Sequence, residues 1–231
     1  MVKPSFLLLP LLLVLLAPQV FPFVTADKLR IDGSSVGICQ SSANSCIVNL
    51  TTTEGNDVII LQSVETSGVD SIVANGLTFI MRASTSGGSF GFVNEEWYAI
   101  AKHPLSLVTV TLHYRDLTIN DGSAIAFSVA GADPNAPFDP STQLPMIGSG
   151  IHEVNPEMTV TLSKQSRDLA FMLLSENSFG GQPGSCCNLI QSQFGALAEY
   201  RIGQGTMARL SVISQDPHGW SAIVDAVRLV G

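Results

Sequence analysis

Residues 123–140 read SAIAFSVAGADPNAPFDP, and this stretch decides the fold class. Ile125, Phe127 and Val129 put large side chains on one face of an extended segment, while Ala124, Ala126, Ser128 and Ala130 give the other face small groups. That is the pattern of a strand packed closely on both sides, and a central strand is predicted. The loop that follows carries Asp133, Pro134, Asn135, Pro137, Asp139 and Pro140. It is too rich in proline and turn formers to continue a regular element, and Phe138 is its one large apolar anchor. Further on, residues 221–230 read SAIVDAVRLV and restate the Ser-Ala-Ile opening of the strand.

Upstream, Cys46, Val48 and Leu50 alternate with Ile47, Asn49 and Thr51; a Glu-Gly-Asn-Asp turn at 54–57 then leads into the apolar run 58–64, which reads as a hairpin. Residues 77–83, a glycine-serine turn at 86–89 and a long run over 90–101 form a second one, with Phe90, Phe92, Tyr98 and Ile100 of one parity. After the break at His103-Pro104, Val108, Val110, Leu112 and Tyr114 oppose Thr109, Thr111 and His113. Beyond the proline loop the pattern starts again: Val160-Thr161-Leu162 echoes Val48-Asn49-Leu50, and Asp168-Leu169-Ala170-Phe171 echoes Asp57-Val58-Ile59-Ile60. Leu189 echoes Leu77, Tyr200-Arg201-Ile202 echoes Tyr98-Ala99-Ile100, and Ser221-Ala222-Ile223 echoes Ser123-Ala124-Ile125. Preserved order with drifting loop lengths is what a tandem duplication leaves. We therefore expect an all-β domain over 46–231 with copies at about 46–140 and 156–231. About six strands per copy, roughly twelve in all, should form a two-sheet antiparallel β-sandwich of jelly-roll or immunoglobulin-like topology.

Only 13% of the 231 residues are charged, against about 25% in a typical domain. A net charge of −8 repels phosphate backbones and anionic lipid surfaces, so nucleic acid and membrane are excluded as expected partners. Residues 1–26 read as a signal peptide: Lys3 supplies the positive start, 6–17 the apolar stretch, and Val24-Thr25-Ala26 the small-residue end. The alternative is a retained anchor; either way the protein is expected to be secreted or displayed on the cell surface. Residues 27–45 form a polar lead-in outside the repeat. Its Leu29, Ile31, Val36 and Ile38 suit a short strand that joins an edge of the same or a neighbouring molecule, or else a tethered leader.

The run Trp97-Tyr98-Ala99-Ile100-Ala101, the threonine-rich strand over 108–112, and the central strand running into Ala130-Gly131-Ala132-Asp133-Pro134-Asn135-Ala136-Pro137-Phe138-Asp139 together resemble the β-sandwich modules of secreted and cell-surface proteins of bacteria and archaea. The resemblance implies an extracellular module and carries no chemistry.

Four cysteines in a secreted context imply disulfides. Cys39 with Cys46 closes a short loop, while Cys186 and Cys187 are adjacent and hard to join to each other, which leaves cross-pairing between the lead-in and the second copy open. Asn49-Leu50-Thr51 is the one glycosylation sequon. Asp133, Asn135 and Asp139 offer oxygens to calcium in a tight turn, although the same residues are ordinary turn formers; no other cofactor is expected. His103, His113, His152 and His218 lack metal-ligand spacing. Glu95, Glu96 and Glu199 fall at near-equivalent places and could face each other as a catalytic pair, yet there is no nucleophile elbow, phosphate loop or HExxH. The chain reads as non-enzymatic: a structural or adhesin-like protein that associates with itself or with other surface proteins. The alternative is a carbohydrate-binding lectin-like module using Trp97 and Trp220, with Tyr114 and Tyr200 behind them; a glycoside hydrolase comes third. Mass spectrometry of the exported protein should find Asp27 at its N-terminus, and a retained residue 1–26 segment would mean an anchor.

Overall fold

The 123–130 stretch is a strand, and all eight of its residues are buried. The computed structural model describes residues 28–40, 44–87, 91–115, 122–153, 155–176, 181–203, 205–214 and 218–230; the expected signal peptide lies outside them. The first half of the chain forms β1 (Arg30–Val36), β2 (Ile38–Gln40), β3 (Ser45–Leu50), β4 (Asp57–Glu65), β5 (Val69–Ala74), β6 (Ile80–Gly87), β7 (Phe92–Ala101), β8 (Val108–Tyr114) and β9 (Ser123–Ala130). The second forms β10 (Met146–Glu153), β11 (Glu157–Ser166), β12 (Leu169–Glu176), β13 (Gln182–Pro183), β14 (Asn188–Gln193), β15 (Ala196–Ile202), β16 (Gly205–Ile213) and β17 (His218–Val227). All pairings are antiparallel, and among the described residues there is no helix.

The protein is therefore all-β, with 17 strands in four sheets rather than about twelve. The strands that the alternation did not reveal are β1, β2, β5, β10 and β13. They are short or lie at sheet edges, where a strand buries little and need not alternate.

One five-stranded sheet runs β1-β9-β4-β7-β6 and the other β10-β17-β12-β15-β14; the remaining sheets run β2-β3-β8-β5 and β11-β16-β13. The second half thus repeats the strand order of the first, with β1 answered by β10 and β3-β8-β5 by β11-β16-β13. Two expectations are corrected. The lead-in is not outside the repeat, since β1 pairs with β9 as β10 pairs with β17. Nor does the first repeat end at 140: Phe138 already bridges Val227 as Ile31 pairs with Val129, so the proline loop opens the second repeat. Of the two readings of 27–45, the short strand joining an edge of the same molecule is the one β1 forms; Gly33, Ser34 and Ser35 interrupt its apolar pattern. Similarly, β9 is internal but β4 is the middle strand, with all nine residues buried. Leu189 aligns by register with Met81 instead of Leu77, because Asn188 and Ile80 occupy matching places opposite Tyr200 and Tyr98.

The parity of β9 directs its packing. Ile125, Phe127 and Val129 enter a cluster with Val58 and Ile60 of β4, Phe171 and Leu173 of β12 and Ile223 of β17, so the two five-stranded sheets share this core. Ala124 and Ala126 face the other way, onto Val48, Val110 and Leu112. On the far side of β12 and β17, Ala170, Met172 and Val224 pack on Val160 and Leu210. Phe127 meets Phe171 edge to face at 5.6 Å, a favoured aromatic geometry.

Cys39 is joined to Cys46 across β2 and β3, and Cys186 to Cys187. The cross-pairing is not formed, because Cys46 sits in the β3–β8 interior while Cys186 and Cys187 lie beside Ser211 and Arg209 of the second half.

Replacing Phe171 with alanine should cost about 3–5 kcal/mol, and Ala126→Leu about 1–3 kcal/mol through overpacking. Urea unfolding curves check both.

Candidate functional site

β5 is joined to β6 through Asn75-Gly76, where Gly76 has φ +75° and open space on the side that a side chain would occupy; that backbone conformation, rather than crowding, suits the position to glycine. At the same end of the sheet, β7 stops at Ala101 before His103-Pro104, and Leu107 turns the chain with φ 52°. Between these turns and the proline loop lies a cleft of about 580 Å³. Its walls come from Asn75, Thr78 and Ile80, from Tyr98, Lys102 and His103, and from Pro134, Asn135 and Pro137. The proline loop that follows β9 is therefore one side of the cleft.

Phe138 holds that loop in place. Its ring stands edge-on to Tyr98 at 4.9 Å, and the Arg82 guanidinium lies 4.3 Å above it. Asp133 turns the loop by accepting the N–H groups of Asn135 and Ala136 at 3.0 and 3.3 Å, and it pairs with Arg228. The cleft lining contains amides, a phenol, prolines and aliphatic groups, with Lys102 and His103 exposed at its rim. No carboxylate is among the described lining residues.

The carboxylates lie elsewhere, in the interiors. Glu96 is fully buried beside Asp225, whose Oδ2 accepts a hydrogen bond from Arg82 Nε at 2.8 Å. Burial first, then the Asp225 charge, raises the Glu96 carboxyl well above its ordinary value; burial also raises Asp225 against the pull of Arg82. Two acids thus lie at one guanidinium, and burial beside the Asp225 charge favours the protonated form of Glu96. Glu199 faces the backbone N–H groups of Ser211 and Gly184, and burial pushes it up to about 8. Glu95 points to the opposite side of β7 from Glu96 and accepts from Val69 N at 3.0 Å and Trp97 Nε1 at 3.1 Å.

Glu95, Glu96 and Glu199 accordingly occupy three separate interiors and do not face one another. By register Glu199 matches Trp97, since Met172 opposite it corresponds to Leu61; the near-equivalence read from the sequence was off by one position for Glu96, which reverses the face, and by two for Glu95, which does not.

The aromatic candidates do not form a surface platform. Trp220 is buried in the β11–β17 cluster, with Nε1 donating to Glu153 at 2.9 Å. Tyr114 is buried on Ser63 and Cys46, Trp97 packs on the β3–β8 side, and Tyr200 packs on the shared core. Tyr98, which no sequence motif singles out, is the aromatic side chain that reaches the cleft.

Asp133, Asn135 and Asp139 do not converge. Asp139 is used by the Ser141 and Ser163 N–H groups, and among the described residues no three of His, Cys, Asp or Glu are grouped to hold a metal ion. Asn49 is exposed on β3 and accepts from Thr109 Oγ1 at 2.8 Å. His113 is exposed on β8, while the side chains of His152 and His218 lie outside the described set.

No family model matches the chain, and no curated protein matches it. A conserved protein of unknown function from Pseudomonas aeruginosa PAO1, known from its crystal structure, is similar at 11% identity over 88% of this chain and 100% of that one, with a TM-score of 0.29. Agreement that loose carries no argument.

Arg82→Leu should destabilise the protein at neutral pH by about 2–3 kcal/mol, the scale of a hydrogen bond to a buried charge. Arg82→Leu combined with Asp225→Leu should recover part of that loss. Denaturant titration of both variants measures the difference.

Proposed function

We propose that this protein is a secreted, non-enzymatic module of the cell exterior, structural or adhesin-like, and that the cleft beside the proline loop is its recognition surface. Each half is read as a two-sheet jelly-roll sandwich. Support for that topology comes from the orders β1-β9-β4-β7-β6 against β2-β3-β8-β5 and β10-β17-β12-β15-β14 against β11-β16-β13: apart from the hairpins β2-β3, β6-β7 and β14-β15, the chain passes from one sheet to the other at each step, as in a jelly roll.

The single observation that carries the functional reading is the separation of the acids from the cleft. Glycoside hydrolysis needs two carboxyl groups facing a substrate within about 5–10 Å of each other. Here Glu95, Glu96 and Glu199 are each buried in a different part of the interior, and the described cleft lining carries none. A surface of proline, Tyr98, amides and two cations suits binding without turnover.

A second reading is supported by the same lining: a lectin-like module in which Tyr98, Asn75 and Asn135 meet a saccharide and Lys102 and His103 favour an acidic one. Tyr98 takes the part that Trp97 and Trp220 were expected to play.

The test is a binding screen of the mature protein on a glycan array and on extracts of surface proteins. With Lys102→Ala and His103→Ala, both at exposed positions, binding should fall at least about tenfold while the melting temperature stays unchanged; Glu96→Gln should leave binding intact. Release of reducing sugar from any oligosaccharide, lost in Glu96→Gln or Glu199→Gln, would defeat the non-enzymatic reading.

A further inference from the structure

Both halves repeat an acid pair that the cleft does not use. Ile31 and Val58 both pair with Val129, while Phe138 and Leu169 both pair with Val227. Asp32 follows Ile31 as Asp139 follows Phe138, and Asp57 precedes Val58 as Asp168 precedes Leu169. The repeat therefore places Asp32 with Asp57 and Asp139 with Asp168 at matching positions.

The local chemistry matches as well. Asp32 accepts the Thr53 and Glu54 N–H groups at 2.6 and 2.9 Å, the Thr53 hydroxyl, and Arg30 at 2.8 Å. Asp139 accepts the Ser141 and Ser163 N–H groups at 2.7 and 3.1 Å and the Ser163 hydroxyl at 3.0 Å. Such rings of donors favour the ionised form. The second acid of each pair is buried, Asp57 at 0% and Asp168 at 3% exposure. Asp57 lies beside Asp32, and neither of its buried carboxyl oxygens meets a hydrogen-bond donor; Asp168 lies beside Asp139 and accepts the Leu229 N–H at 3.2 Å. Two carboxyl groups placed side by side, one of them buried, ionise together only at a large penalty.

We propose that each half carries a one-proton acid pair, Asp32–Asp57 and Asp139–Asp168, that clamps its edge segment to the sheet, and that loss of the proton loosens β1 and residues 138–141 ahead of the other strands. Each segment is strand-paired on one side only, β1 with β9 and Phe138 with Val227 of β17, so fewer ladder bonds hold it than hold an internal strand. The charges facing the first pair are Arg30 and Glu54, with the Ser128 hydroxyl from β9; Lys102 follows Ala101, the β7 partner of Asp57. Facing the second are Asp225 of β17 and Arg167 beside Asp168 in sequence, while Arg228 is engaged by Asp133.

Burial, then Asp32, pushes Asp57 up to about 7. Asp32 and Asp139 are held below their ordinary value because their donors outweigh burial. In the unfolded chain all four titrate near ~3.9. Between that value and about 7 the folded first pair holds a proton that the unfolded chain has lost, so stability falls as pH rises through this window and levels off above it. Below ~3.9 the ionised members protonate and their contribution is lost too.

Glu96, Glu199 and Asp225 push in the same direction, so the test compares variants with the wild type. Asp57→Asn and Asp168→Asn keep an N–H donor for the partner and have no proton to lose. Melting temperature and hydrogen-exchange protection factors should be followed from pH 4.5 to 8.5. The wild type should lose protection over 30–36 and 138–141 first, and the double variant should keep it and show a shallower fall in melting temperature. Unchanged pH dependence in the double variant, or protection lost evenly over all strands, overturns the proposal. Should the variants not fold, residue-assigned 13C NMR of the wild-type carboxyl groups decides: Asp57 and Asp168 must still be protonated at pH 6, and finding both ionised there overturns the proposal equally.

Discussion

The face shared by the two five-stranded sheets is the constraint on which the rest of the structure depends. Val58, Ile60, Phe127 and Val129 from one side and Leu169, Phe171, Leu173 and Ile223 from the other lose all contact with water there. At roughly 1.5–3 kcal/mol per large side chain, this is the largest favourable contribution that either half can gain. Neither half could leave such a face bare, so the two halves stand or fall together.

That face is not purely apolar, and its polar groups specify how the halves meet. Gln62 Nε2 donates to Asn94 Oδ1 and to the Leu174 carbonyl, at 3.1 and 3.0 Å. Asn94 Nδ2 donates to the Leu173 carbonyl at 2.9 Å. These side chains from β4 and β7 hold the backbone of β12, and a slid register would strand them without partners at a cost of about 1–3 kcal/mol each. The Arg82–Asp225 pair at the β6–β17 side and Gln191 donating to Ser34 at 3.0 Å on the β1–β14 side pin the two flanks. Arg82 also links the packing to the cleft, since the guanidinium that neutralises Asp225 covers the Phe138 ring that supports the loop.

A chain with so few charges places several of its acids in interiors: Asp57, Glu96, Glu199 and Asp225 are all fully enclosed. Asp225 is paired with Arg82, and burial raises Asp57, Glu96 and Glu199 towards the neutral form in which a buried acid is tolerated. The arrangement separates the chemistry of the interior, where the acids are buried, from that of the cleft, where amides, Tyr98 and two exposed cations face solvent.

The sequence by itself determined the all-β class, the parity of β9 and the echo between the halves, because side-chain alternation with period two is a local property of an extended chain. It carried Val48 to Val160, Tyr98 to Tyr200 and Ser123 to Ser221 into matching strands, and Asp57 to Asp168 to matching places at the start of β4 and just before β12. Only the tertiary structure decided which face each acid and aromatic occupies, since a displacement of one position reverses the face and loop drift hides such a displacement. It alone showed that β10 completes its sheet and that β1 joins this molecule's own edge and not a neighbour's, because edge strands bury little and leave a weak pattern. The cleft and the two aspartate pairs, likewise, are made by residues far apart in the chain, brought together by strand pairing that no local signal encodes.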